Sequence, residues 1–122
     1  MHQAKQSNHA PVTIWGDGTA KREFLYAPDL ADFLCFAIEN FEAVPEVMNV
    51  GSGLEISVNE MHRHMANVIG YSGEFKHDLD KPVGRPRRCL DLQYQQDLGW
   101  SPKTPFKQAL ESTYDFLLSS LL

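Results

Sequence analysis

A chain of 122 residues with 43% hydrophobic and 22% charged residues has the composition of one globular domain with a modest core, not of a disordered segment. A net charge of −5 and an isoelectric point near 5.4 argue against a general nucleic-acid or membrane-surface binder. Cys35 and Cys89 lie far apart without metal-type spacing and read as reduced thiols. No apolar leader follows Met1, and no apolar run approaches the ~18 residues that span a bilayer, so a soluble cytoplasmic chain without a membrane partner is expected.

Residues 1–11 are polar and end at His9-Ala10-Pro11, a partial helix or arm whose beginning is expected to lie outside the chain. Val12–Trp15 and Phe24–Ala27 are strand candidates on either side of a turn containing Gly16 and Gly18. Pro28-Asp29 opens a helix in which Leu30, Phe33, Leu34, Ala37, Ile38 and Phe41 follow the spacing of one buried face. Val47–Val50 is a short apolar run closed by Gly51-Ser52-Gly53, and reads as a strand. Ser57 and Glu60 have the spacing of a capping box, and the helix they start carries Val58, Met61, Met65, Val68 and Ile69 on one side before Gly70 stops it.

Phe75–Leu79 is a further strand candidate, and residues 80–88, with two prolines and a glycine, are expected to form a loop. Asp91 to Gly99 fits a short capped helix with Trp100 packing after it. Thr104-Pro105 starts the last helix, with Phe106, Leu110, Thr113, Leu117 and Leu121 as its apolar stripe. The sum is an α/β (α+β) chain of about four helices alternating with short strands, in a single domain over 1–122. There is no internal repeat and no low-complexity segment.

Two stretches have chemical potential. Trp15 beside a glycine turn, with Arg22 a few residues on, is able to form a shelf for a flat anionic ligand: a π-face, a close backbone and a bidentate donor. Spacing alone favours an ordinary hairpin with a core Trp and a solvated Arg. The loop 80–88 concentrates Lys81, Arg85, Arg87 and Arg88 in an otherwise acidic chain, and planar guanidinium groups suit pyrophosphate. Pairing with Asp78, Asp80 and Asp91 explains the same loop equally well.

Other chemistries lack their residues. His62 and His64 are two apart on a helix, and His2, His9 and His77 have no companion at ligand spacing, so no metal site is expected. Gly51-Ser52-Gly53 is followed by Ile56 where a dinucleotide fingerprint needs its third glycine. There is no Gly-x-Ser-x-Gly elbow, and neither cysteine has a nearby histidine.

Taken in order, the motifs resemble a known family. Trp15-Gly-Asp-Gly-Thr-Ala-Lys-Arg-Glu-Phe-Leu-Tyr, Asp29-Leu-Ala-Asp, Met48-Asn-Val-Gly-Ser-Gly, Ile69-Gly-Tyr, Lys81-Pro-Val-Gly-Arg-Pro-Arg-Arg and Leu98-Gly-Trp are similar to the C-terminal, substrate-binding part of GDP-L-fucose synthase. That enzyme is a nucleotide-sugar epimerase/reductase of the extended short-chain dehydrogenase group, in the NAD-dependent epimerase/dehydratase family. The resemblance runs from about Met1 to about Leu118. It implies a nucleotide-sugar site in which Trp15 contacts the GDP-sugar and Arg22 and Arg88 neutralise its diphosphate, with Arg85 and Lys81 as further basic contacts. Ala27-Pro28-Asp29 replaces the family's Val-Asp-Asp, and Val83 stands where the family has Asp in its basic loop.

The complete family enzyme uses NADP on an N-terminal Rossmann half and a Tyr-x-x-x-Lys pair. Here Tyr26, Tyr71, Tyr94 and Tyr114 are followed four positions on by Leu30, Phe75, Leu98 and Leu118, so neither cofactor binding nor catalysis is expected of this chain alone. The expectation is a truncated, catalytically inactive fragment that binds a GDP-sugar. The alternative is a self-associating interaction module, or one half of a split enzyme. In either case a homo-oligomer or a partner chain would cover the surface that a Rossmann half normally occupies.

Overall fold

The computed structural model describes residues 1–120, so the helical position read for Leu121 lies outside the described residues. Its elements are α1 (His2–Gln6), β1 (Val12–Trp15), β2 (Lys21–Glu23), α2 (Ala27–Glu39), β3 (Glu55–Ser57), α3 (Val58–Ile69), β4 (Phe75–Asp78), β5 (Arg87–Arg88), α4 (Gln93–Asp97) and α5 (Phe106–Ser120). The fold is mixed α/β, with five α-helices among the described residues and two small sheets. β1 pairs in parallel with β4. β2 lies between β3, antiparallel, and β5, parallel.

The glycine turn after Trp15 therefore does not close a hairpin. β1 leaves one sheet and β2 enters the other, so the turn joins sheets rather than neighbouring strands. The second strand covers Lys21–Glu23 rather than Phe24–Ala27, because Arg22 and its neighbours find ladder partners while Ala27 already begins α2. The turn itself is fixed locally by Asp17, whose carboxylate accepts from the N–H and the hydroxyl of Thr19 at 3.0 and 2.8 Å. Those bonds hold its carboxyl below the usual carboxylate range.

α3 follows its local signals closely. The Ser57 hydroxyl accepts from Glu60 N–H at 3.1 Å, Glu60 accepts from Ser57 N–H at 2.7 Å, and Gly70 ends the helix at φ 71°. Its two histidines go to different neighbours. His62 stands edge-on to Phe75 of β4, and His64 edge-on to Phe106 of α5.

α2 forms where expected but turns a different side inward. Asp29 and Phe33 are buried, whereas Leu30, Leu34, Ile38 and Phe41 of the expected buried face are 40%, 56%, 75% and 77% exposed. The inner side is selected by long-range partners. Asp29 accepts from Lys103 N–H and the Thr104 hydroxyl, Asp32 accepts from Trp100 Nε1 and Lys103 Nζ, and Phe33 meets Trp100 edge-on at 5.1 Å. The donors on Asp32 hold its carboxyl below the usual range, Lys103 first.

Two further expectations change. Val47–Val50 belongs to no strand, since no described segment supplies it with a ladder. Residues 80–88 are not all loop, because Arg87–Arg88 docks beside β2 as β5. The core is small: Ile14, Ala20, Phe33, Ile56, Ala66, Tyr71 and Trp100 are its buried apolar residues.

Candidate functional site

The register of the second sheet places the two arginines together. Arg22 of β2 is the ladder partner of Arg88 of β5, and Lys21 is that of Arg87. Partners in a ladder project to the same side of the sheet. Arg22 and Arg88 thus share one side and Arg87 the other, where its Nε and Nη2 grip the Glu55 carboxylate bidentately at 2.6 and 3.0 Å. Among the described residues no ion pair joins Arg22, Arg85, Arg88 or Lys81 to a carboxylate. The alternative reading, in which the loop pairs with Asp78, Asp80 and Asp91, finds no such ion pair among the described residues.

Arg22 also organises the loop. Its Nη1 donates to the carbonyls of Lys21 and Arg85 at 2.6 and 2.9 Å, and Nη2 donates to that of Val83 at 3.4 Å. Nε–H and one Nη2–H then have no partner among the described residues, which is the donor pair a phosphate oxygen fork requires. Val83 sits against Gly16. That glycine has φ 71°, and a Cβ there would collide with Val83 Cγ2. The apolar residue found in place of the family's Asp therefore packs on the glycine turn.

Arg22 and Arg88 line a cleft of about 310 Å³ with Glu23, Val50, Gly51 and Leu90. Its floor is held by groups that the sequence did not mark. Gln95, buried in α4, accepts from Gly51 N–H at 2.9 Å and donates to Gly51 O at 3.0 Å, a two-point clamp. Glu23 accepts from Gly53 N–H at 2.8 Å and from Leu90 N–H at 3.3 Å. Asn59 of α3 donates to Asp17 O at 2.9 Å and fixes the glycine turn from beneath. No local pattern signals these roles, because each depends on a partner remote in sequence.

Trp15 is not a core residue. It is 63% exposed, and Lys81 Nζ lies 5.8 Å from the centroid of its ring. Trp15 and Lys81 form their own pair and do not line the cleft. Arg85 adds its carbonyl to the Arg22 network. The structure thus brings Arg22 and Arg88 into one cleft, Trp15 and Lys81 into one contact, and ties the turn to the basic loop through Arg22 and Val83.

On the far side of the ladder, Glu55 accepts from Arg87 and from the Cys89 thiol. These donors, Arg87 foremost, hold the Glu55 carboxyl at about 2. The carboxylate in turn pushes the Cys89 thiol up. A separate groove of about 760 Å³ runs between the start of α2, α3 and α5, lined by Phe24, Tyr26, Met61, Phe106, Leu110 and Phe116 and by no basic side chain.

Residues 1–51 match the model of the NAD dependent epimerase/dehydratase family. GDP-L-fucose synthase of Azorhizobium caulinodans is 42% identical over 119 residues, which are 98% of this chain and 38% of that protein. GDP-L-colitose synthase of Yersinia pseudotuberculosis is 39% identical over 95% of this chain and 38% of its own length. Among solved structures, the NADP-bound GDP-mannoheptose C4 reductase of Campylobacter jejuni superposes with a TM-score of 0.80 at 26% identity, covering 97% of this chain and 42% of that one. The chain is thus similar over nearly its whole length to a stretch of GDP-L-fucose synthase, and its first 51 residues match the NAD dependent epimerase/dehydratase family model. It spans less than two fifths of the length of the two curated relatives named here.

Three of the glycine-turn amides are already engaged within the chain. Of the glycine-turn amides that would cradle a pyrophosphate, Gly51 N–H is bound to Gln95, Gly53 N–H to Glu23, and Gly16 N–H to Asp78 O. No helix of the described residues is long and apolar enough to cross a membrane.

Proposed function

We propose that this chain is the nucleotide-sugar-gripping element of a GDP-sugar epimerase/reductase. In this reading Arg22 and Arg88 bind the diphosphate in the cleft that they line with Val50, Gly51 and Leu90, and Trp15 contacts the remainder of the GDP-sugar. The observation that carries it is the Arg22–Arg88 register pair, two like charges on neighbouring strands with no carboxylate partner among the described residues. An anion between them converts a repulsive pair into a charge-assisted clamp. The relatives named for GDP-L-fucose, GDP-L-colitose and GDP-mannoheptose chemistry supply the ligand class.

The reading is one of binding. Hydride transfer and proton transfer need groups that this chain's tyrosines and glycine turns do not offer, so turnover belongs to residues outside it. Titration calorimetry with GDP, GDP-fucose and GDP-mannose tests the reading. Heat with at least one of them, weakened at least tenfold by Arg88→Ala, is expected. Absence of heat with all three, or heat unchanged by that substitution, would reject it.

A further inference from the structure

Among the described residues His9 is the one histidine whose ring accepts from a backbone N–H. Its Nδ1 receives the Ser72 N–H at 3.0 Å and lies 3.3 Å from the Ser72 hydroxyl. A backbone amide can only donate, so Nδ1 must offer its lone pair and the ring must be neutral. His62 is the opposite case. Its Nδ1 meets Val58 O at 2.8 Å and has to donate there, which an imidazolium does equally well.

The His9–Ser72 bond joins two links of the fold. His9 lies between α1 and β1, Ser72 lies between α3 and β4, and the strands that follow pair at once, with Val12 N–H donating to Glu74 O at 2.9 Å. Asn8 and His9 both stand in the left-handed region, at φ 54° and 56°, where a residue with a Cβ needs support from its surroundings. That support comes from the second link. The His9 ring stacks on Tyr71 with centroids 5.7 Å apart, the Tyr71 hydroxyl donates to Ala10 O at 2.8 Å, and Lys5 Nζ donates to Ile69 O at 2.6 Å. Gly73 lets the two links close, since a Cβ there would collide with His9 O.

We propose that His9 is a pH-sensitive clip, fastening the α1 arm to the α3–β4 link when neutral and releasing it when protonated. Protonation puts a donor where Ser72 N–H needs an acceptor, so the ring has to swing away and the two left-handed residues lose their anchor. Histidine is the side chain whose charge ordinarily changes between about pH 5 and 8. The surroundings give an imidazolium nothing in exchange. α1 brings the Lys5 ammonium, the turn after α3 brings the Tyr71 hydroxyl already engaged as a donor, and the approach to β4 brings Glu74, whose carboxylate pairs with Lys76 at 3.9 Å. No carboxylate among the described residues lies within ion-pair distance of the His9 ring. The far end of the same ladder pairs Trp15 with Asp78, so the clip acts on the strand that ends in Trp15. The proposal is independent of the nucleotide-sugar reading and is tested without any ligand.

The test is nuclear magnetic resonance on the 122-residue chain at pH 7.5 and 5.5. At pH 7.5 the ring nitrogen shifts of His9 should report a bare Nδ1 and a protonated Nε2. Protection of the Ser72 and Val12 amides, corrected for the intrinsic effect of pH on exchange, should fall at least tenfold by pH 5.5. His9→Asn puts an amide oxygen close to where Nδ1 stood, tolerates the left-handed backbone and cannot titrate, so it should hold both amides equally at the two pH values. A protonated Nδ1 at pH 7.5 would overturn the proposal. So would wild-type protection that is the same at both pH values, or a loss as large in His9→Asn as in the wild type.

Discussion

Arg22 and Arg88 are direct partners in the parallel ladder between β2 and β5, with their side chains on the same side of the sheet. Like charges placed side by side in a ladder are destabilising unless something of opposite sign lies between them. Neither has a carboxylate partner among the described residues, while the adjacent Arg87, turned to the opposite side, holds Glu55 through Nε and Nη2. The three arginines thus divide by strand alternation into one paired with Glu55 and two that share the opposite side without a carboxylate partner among the described residues.

That division gives a direct contrast between neighbours. Arg88→Ala should weaken GDP binding by at least tenfold, in line with the roughly 1.5–3 kcal/mol of a hydrogen bond to a charged group. Arg87→Gln should change the affinity by less than threefold and instead lower the melting temperature. Calorimetry and thermal unfolding on the two variants check the two halves. Arg88→Lys should fall between, because it keeps the charge and loses the fork.

Acid should release the Glu55 contact within a defined window. Its carboxyl is held at about 2 in the folded chain against 4.5 for the unperturbed group. Above 4.5 it is ionised folded and unfolded, so the full contribution is present. As the pH falls from 4.5 toward 2 the unfolded chain takes up the proton first and the contribution is lost. Asp17, Asp32 and Glu60 are also held low and add to the acid loss. The difference between the wild type and Glu55→Gln isolates this carboxylate: the gap in melting temperature should narrow as pH falls through that range.

The same carboxylate controls the thiol beside it. Glu55 and burial push Cys89 up, so at pH 8 its reaction with maleimide should be slower than that of Cys35 on the exposed side of α2. Glu55→Gln should accelerate Cys89 and leave Cys35 unchanged. Mass spectrometry of the labelled peptides over time measures both rates.

Gln95 should matter more than its unremarked sequence position suggests. It satisfies both backbone groups of Gly51 while 4% exposed. Gln95→Leu leaves a buried N–H and a buried C=O without partners, and should cost about 2–3 kcal/mol in urea unfolding. Because Gly51 and Val50 line the cleft, the same variant should also weaken GDP binding.

What the sequence made legible was local. The capping box at Ser57 and Glu60 and the glycine stop at Gly70 are written within one helix, and the structure forms them as read. The periodicity of α2 was equally legible, but periodicity does not say which side is buried. That side is chosen by Trp100, Lys103 and Thr104, far along the chain. Strand character without a partner misled at Val47–Val50, and a partner without strand character did so at Arg87–Arg88. The family resemblance named Arg22 and Arg88, whereas their ladder contact, the Gln95 clamp and the pairing of Arg87 with Glu55 are products of non-local packing.

The most direct measurement is the response of individual arginine Nε–Hε resonances to added GDP in the 122-residue chain. The Arg22 and Arg88 signals should shift together and saturably, with Arg87 unmoved. Binding that shifts Arg87, or that leaves either Arg22 or Arg88 in place, would contradict the diphosphate clamp formed by Arg22 and Arg88.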